Sequence, residues 1–243
     1  MKIFPRAAAL AKKELFSYAG SPAFWGLAVF FLLFCSIWLF YFERFFDMDA
    51  ASLRSYFAAF PIAFIFVIPA LTMKSWAEER KTGSIELLLT LPFSEWDLVL
   101  GKFAAILAMI AAMLALTLPL PLSLLPLGNF DGGVIFAEYL GAFLLGASAS
   151  ALGLFLSGLS KNQAGSFLGS AAVLMTVMLV NRLAAGFALP FPLVSFFNYI
   201  SLSFHFESFT RGLIDIRDLL FFVLSASLFL YLNTRVLVSG KWK

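Results

Sequence analysis

Residues 75–102 read SWAEERKTGSIELLLTLPFSEWDLVLGK, a charged island between two long apolar runs. Glu78, Glu79, Arg80, Lys81, Glu86, Glu95, Asp97 and Lys102 fall within it, in a chain that is 62% hydrophobic and only 13% charged. A soluble domain carries about a quarter charged residues, so this chain has roughly half the usual share. With 31 phenylalanines in 243 residues and a mean hydropathy of +0.95, its apolar surface exceeds what one water-soluble core can hide. The composition implies a polytopic helical membrane protein, and the island is one of its connecting loops.

Working outward from the loop, six stretches reach the roughly 20 apolar residues that span a bilayer as helix. They are Ala23–Phe42, Tyr56–Met73, Phe103–Leu125, Val134–Leu156, Gly165–Leu183 and Leu219–Val238. Pro61 and Pro69 interrupt the second, and Pro119, Pro121 and Pro126 close the third, so kinks or ends are expected there. With six spans both termini share a side. Twelve of the 17 Lys and Arg residues, including Lys2, Arg6, Lys12, Lys13, Lys74, Arg80, Lys81 and Lys102, lie on that side. The positive-inside rule therefore puts both termini and the loop 74–102 in the cytoplasm.

Residues 1–20 precede the first span as an amphipathic segment. On a 100° wheel Phe4, Ala7, Leu10, Ala11, Leu15 and Tyr18 share one face, while Arg6, Lys12, Lys13 and Ser17 lie opposite. This predicts a helix on the cytoplasmic membrane surface, with Ser21-Pro22 starting the first span. Glu14 falls on the apolar face, which a purely lipid-facing helix would avoid; it is expected to reach a protein partner or else to turn toward the headgroups, the partner being favoured. Between the fifth and sixth spans, residues 187–218 are too aromatic for a solvated loop and predict a pair of short outer re-entrant helices. Arg211, Asp215, Arg217 and Asp218 are expected to form local ion pairs there, Arg211 with Asp215 at i, i+4.

Several chemistries are excluded. The lone His205 and lone Cys35 cannot supply a His-pair or thiolate metal site or a disulfide within one chain. His205 reads as an interfacial belt residue. No P-loop motif occurs, and the dispersed basic residues with a net charge of +3 do not suit nucleic acid. Glu138 is the acidic residue nearest to a span interior, about one turn in from the outer end, where a headgroup position is equally open. It cannot by itself make a proton relay. Small residues recur at i+4 (Ala142, Gly146, Ser150; Ala149, Gly153, Ser157; Gly165, Gly169) as seams for close helix approach, within the chain or between two copies.

The loop itself predicts a stiff device. Gly83 breaks the helix that leaves the second span, Ser84 caps a short helix through Leu91 with Glu86 in its first turn, and Pro92 ends it. Ser94-Glu-Trp-Asp97 is a capping box that starts the next helix. Leu87, Leu88 and Leu89 are too few to enter a membrane and too apolar for water, which points to a protein groove.

The pattern E-E-[RK]-x-x-G-[ST]-x-E-x-L-L-x-x-P, Glu78–Pro92, resembles the loop of ABC-2-type permeases. KKELFSYAGSPAFW (Lys12–Trp25) is similar to their interface helix. SFHFESFTRGLIDIRDLLFF (Ser203–Phe222) resembles the outer region of their gliding-motility-associated bacterial subgroup. The resemblance spans nearly the whole chain, as a single transmembrane domain over 1–243. It implies an all-α fold with six spans, in the bacterial inner membrane. It also implies a second permease chain, identical or related, beside this one. A separate cytoplasmic ATPase would supply ATP and Mg binding, this chain holding no cofactor and catalysing nothing itself. The coupling interface to that ATPase would comprise Glu14, Glu78, Glu79, Arg80, Gly83, Glu86, Leu87, Leu88 and Pro92. An extracytoplasmic accessory protein and membrane lipid complete the implied partners. The apolar and aromatic span walls suit a lipid-like or bulky amphipathic cargo. A self-sufficient secondary transporter or channel and a non-transporting scaffold are the alternatives, separated by whether an ATPase co-purifies.

Overall fold

A computed structural model describes residues 3–47, 52–84, 93–186 and 190–240. The elements within them are helical. Helix α1 (Ile3–Ala19) precedes α2 (Pro22–Ile37), which runs on through a π-helical turn at Trp38–Phe42 and a 3-10 turn at Phe45–Asp47. Then come α3 (Arg54–Ala58), α4 (Phe60–Thr72), α5 (Ala77–Thr82), α6 (Glu95–Thr117) and α7 (Pro119–Leu124). The chain continues with α8 (Gly132–Leu159), α9 (Gln163–Gly186), α10 (Phe191–Ile200), α11 (Leu202–Phe209) and α12 (Ile216–Gly240). Among the described residues six helical stretches are long and apolar enough to cross a membrane: Pro22–Phe42, Phe60–Thr82, Glu95–Leu127, Gly132–Leu159, Gln163–Leu183 and Ile216–Val238.

Helices α4 and α8 form the centre of the bundle, and their faces explain why. Phe60, Ala63, Val67 and Ile68 are fully buried, as are Ala142, Leu145, Ala149 and Leu154. The small-residue seams of α8 are filled from within the chain. A Cβ on Gly146 would meet Ile110 at 3.0 Å and Phe64 at 3.4 Å, and one on Gly153 would meet the Thr72 hydroxyl at 2.6 Å. Close approach replaces hydrophobic driving force as the glue between helices in lipid.

The second span departs from the expected continuous helix through 74–81. Helix α4 stops at Thr72 and a turn over 73–76 intervenes before α5. The backbone groups freed there find a neighbour. The Ser157 hydroxyl of α8 accepts from the Trp76 and Ala77 N–H groups at 3.2 and 3.4 Å and faces the Met73 carbonyl at 3.4 Å. Irregular backbone at membrane depth needs such protein partners. Prolines act as punctuation: Pro61 sits in the first turn of α4, Pro69 lies inside it, and Pro119 starts α7 where α6 ends.

Helix α1 follows the predicted face, with Leu10 buried and Ala7, Ala11, Leu15 and Tyr18 half-buried. It does not rest on lipid alone: it packs along α6, where a Cβ on Gly101 would come within 2.9 Å of Leu10. The two short helices expected in 187–218 are α10 and α11, with Ser201 capping α11 by accepting from the Phe204 N–H.

Candidate functional site at the alpha 1 end of the bundle

The charged island does not stay an island. At one end of the bundle α1, α5 and α6 converge on Lys102, which is 3% exposed. Its ammonium donates to Glu79 Oε1 at 2.6 Å and to Glu14 Oε1 at 3.3 Å, and it lies 4.9 Å from the centre of the buried Trp76 ring. One lysine thus ties α6 to carboxylates of α1 and α5 that lie 88 and 23 residues before it in sequence. A lysine out of water needs compensating charge, and two carboxylates with an aromatic face provide it.

Glu14 thereby has a partner inside its own chain. Its carboxylate sits on the apolar face of α1 because Lys102 of the same chain faces it, so no outside protein is needed to explain it. Glu79 likewise turns inward, and its Oε2 is buried without a hydrogen-bond partner among the described residues. Beside the pair lies a polar cavity of about 320 Å³, lined by Glu14, Ser17, Tyr18, Ser21, Lys74, Ser75, Glu78, Glu79 and Lys102. The Tyr18 hydroxyl closes one wall by donating to the Leu71 carbonyl at 3.0 Å, with Ser75 Oγ at 3.2 Å. Burial pushes the Tyr18 phenol up to about 12, so it stays a neutral donor at physiological pH.

The remaining loop residues divide. Glu78 is exposed at the cavity rim and Arg80 is half-buried. Gly83 ends α5 in the left-handed conformation, φ 72°, a position that favours glycine, and its N–H donates to the Arg80 carbonyl. Ser84 turns back toward α5, its hydroxyl 2.9 Å from that of Thr82. Glu86, Leu87, Leu88 and Pro92 lie outside the described residues. On the far side the capping box is complete: Ser94 Oγ accepts from the Asp97 N–H at 3.1 Å, and Asp97 Oδ2 accepts from the Ser94 N–H at 3.0 Å. Both flanks of 85–92 are therefore fixed, one by a glycine cap and the Lys102 clamp, the other by the capping box.

At the opposite end of the bundle the ion-pair expectation needs correction. Residues 210–215 are turn and irregular chain rather than helix, with Gly212 at φ 75°, so Arg211 and Asp215 lack the helical i, i+4 geometry. Asp215 instead accepts from the Arg217 N–H at 2.8 Å and starts α12. Asp218 pairs with His205, Oδ1 to Nδ1 at 2.6 Å, while His205 Nε2 lies 3.2 Å from the Tyr199 carbonyl. The His205 ring stacks on Phe221 at 3.8 Å. The predicted belt histidine is thus buried, linking α10, α11 and α12. Glu138 is fully buried in α8, both carboxylate oxygens without a hydrogen-bond partner among the described residues.

Sequence reasoning missed Lys102 as a site residue, treating it as one more cytoplasmic charge. The signal was present in Glu14, a carboxylate on an apolar face that demands a cation. Ser157 and the His205–Asp218 pair left no local signal, since each is joined to its partner by tertiary packing. Among the described residues no group of His, Cys, Asp or Glu is arranged to hold a metal ion.

The Lys102 clamp and the Ser94 capping box fix the two flanks of residues 85–92. Over residues 8–237 the chain matches the family model described as ABC-2 family transporter protein. A search among curated proteins gives no match.

Proposed function

The chain belongs to the ABC-2 transporter family, and from that premise we propose that it is the permease subunit through which a separate cytoplasmic ATPase drives export, or work in the cell envelope. The observation that carries the reading is the Lys102 clamp. It joins α1 to both helices that flank 85–92, so a push on that segment moves α1, α5 and α6 as a unit. In this reading Glu86, Leu87 and Leu88 dock in a cleft of the ATPase. Glu78, Arg80, Gly83 and Pro92 shape the approach, and Glu14 and Glu79 act through Lys102 rather than by touching the partner.

The mechanism is two-state. ATP closes two ATPase subunits, the docked segments move with them, and the spans re-pack between two arrangements. Coupling exists only if the ATPase binds those arrangements with different free energies. A second permease chain, the same or related, completes the pair. The Lys and Arg distribution supports both termini and this end of the bundle facing the cytoplasm of a bacterial inner membrane. The Ser203–Phe222 pattern supports the gliding-motility-associated subgroup.

Glu86→Lys and Leu88→Asp, made in the complex with the ATPase, test the reading. Both are expected to uncouple ATP hydrolysis from transport while the permease purifies with an unchanged melting temperature. Normal co-purification together with transport-coupled hydrolysis in either variant would overturn it.

A further inference from the structure

Next to the polar cavity, and sharing Tyr18, Ser21 and Lys74 with it, is a second cavity of about 280 Å³ between α2 and the end of α4. Its body is apolar, walled by Phe24, Leu27 and Phe30 on one side and Ala70 and Leu71 on the other. It runs along α2 from Ser21 to Phe30, which at 1.5 Å per residue is roughly 14 Å. One leaflet of hydrocarbon is about 15 Å deep, half of the full core. The slot is therefore about as long as one leaflet of hydrocarbon is deep.

Two details make it more than a gap between helices. Gly26 lines the slot, and a Cβ built on it meets nothing within 4 Å, so the space beside it is open and a larger side chain there would project into it. At the mouth stands Lys74, exposed, with no carboxylate within ion-pair distance among the described residues. Glu14 and Glu79 in the adjoining cavity are engaged by Lys102, and Glu78 stands at that cavity's rim. An ammonium and the Ser21 hydroxyl above an apolar slot of one-leaflet depth are complementary to a phosphodiester headgroup above an acyl chain.

We infer that this slot binds one anionic phospholipid, its acyl chain along Gly26 and its phosphate at Lys74. The inference rests on this chain spanning a membrane and not on the ATPase reading. A lipid here would bridge α2 and the end of α4, beside the clamp.

The test places the full chain in vesicles of equimolar phosphatidylglycerol and phosphatidylcholine, extracts it in mild detergent, and weighs retained lipid by native mass spectrometry. Phosphatidylglycerol is expected to be retained about fivefold over phosphatidylcholine, the equivalent of the ~1 kcal/mol that one lysine contributes at an anionic surface. Lys74→Gln should remove the preference, and Gly26→Leu should lose the retained lipid at unchanged helix content and melting temperature. Equal retention of the two lipids by the wild type, or a preference unchanged in Lys74→Gln, overturns the inference. The readout contains no ATP or ATPase, so it fails or succeeds separately from the proposed coupling.

Discussion

Lys102 shows most clearly how a single side chain organises this end of the molecule. It is almost completely buried and its charge is met by two carboxylates from other helices. Removing one member of a buried charged group leaves the others uncompensated, which costs about 3–5 kcal/mol. Lys102→Met is therefore expected to lower the melting temperature of the purified permease sharply, whereas the double change Lys102→Met with Glu79→Gln recovers part of the loss. A melting curve unmoved by Lys102→Met would mean the clamp holds nothing. Glu138 presents the opposite case, a fully buried carboxyl group with neither oxygen hydrogen-bonded among the described residues. An unsatisfied buried polar group costs about 1–3 kcal/mol, so Glu138→Met is expected to stabilise the protein by an amount in that range. Denaturation in a fixed detergent, comparing variant with wild type, checks the sign.

At the scale of elements, the turn between α4 and α5 turns on Ser157. Its hydroxyl serves the Trp76 and Ala77 N–H groups from a different helix. Ser157→Ala leaves both donors unpaired in an apolar setting and is expected to cost about 1–3 kcal/mol. Ser157→Thr keeps the hydroxyl and should cost less, provided its methyl fits beside Trp76. Hydrogen exchange at Trp76 and Ala77 separates local from global loss: faster exchange there, with the rest of α4 protected, is the expected pattern. This element also shows what a sequence conceals. The six apolar runs, the amphipathic face of α1, the glycine stop at Gly83 and the capping box at Ser94 are local patterns and could be read directly. The break at 73–76 could not, because the group that satisfies its freed N–H is a serine 81 residues away. The same holds for His205, whose partner Asp218 is met only when α11 folds back on α12. The expected Arg211–Asp215 pair failed because Gly212 ends the helical geometry that the spacing assumed.

For the whole molecule, the fold offers two ends with different tasks. One carries the clamp, the capped flanks of 85–92 and the proposed lipid slot, and the other carries α3, α10 and α11 with their buried His205–Asp218 link. Native Cys35 is fully buried, so single cysteines added elsewhere can report the side each end faces. Lys12→Cys and Lys81→Cys are expected to react with an impermeant maleimide only after the inner face is opened, and Arg217→Cys from outside in intact cells. Reversed labelling would invert the molecule and with it the position of the clamp.

The central claim, that a separate ATPase works on this end of the permease, is tested most directly by affinity capture of the full chain from its native membranes in mild detergent. The captured material would then be assayed for ATP turnover and, after reconstitution, for transport. The account predicts a P-loop ATPase that co-purifies in fixed ratio, with transport that stops when ATP is withheld. A permease that comes out without an ATPase, and still transports in ATP-free vesicles, would contradict it.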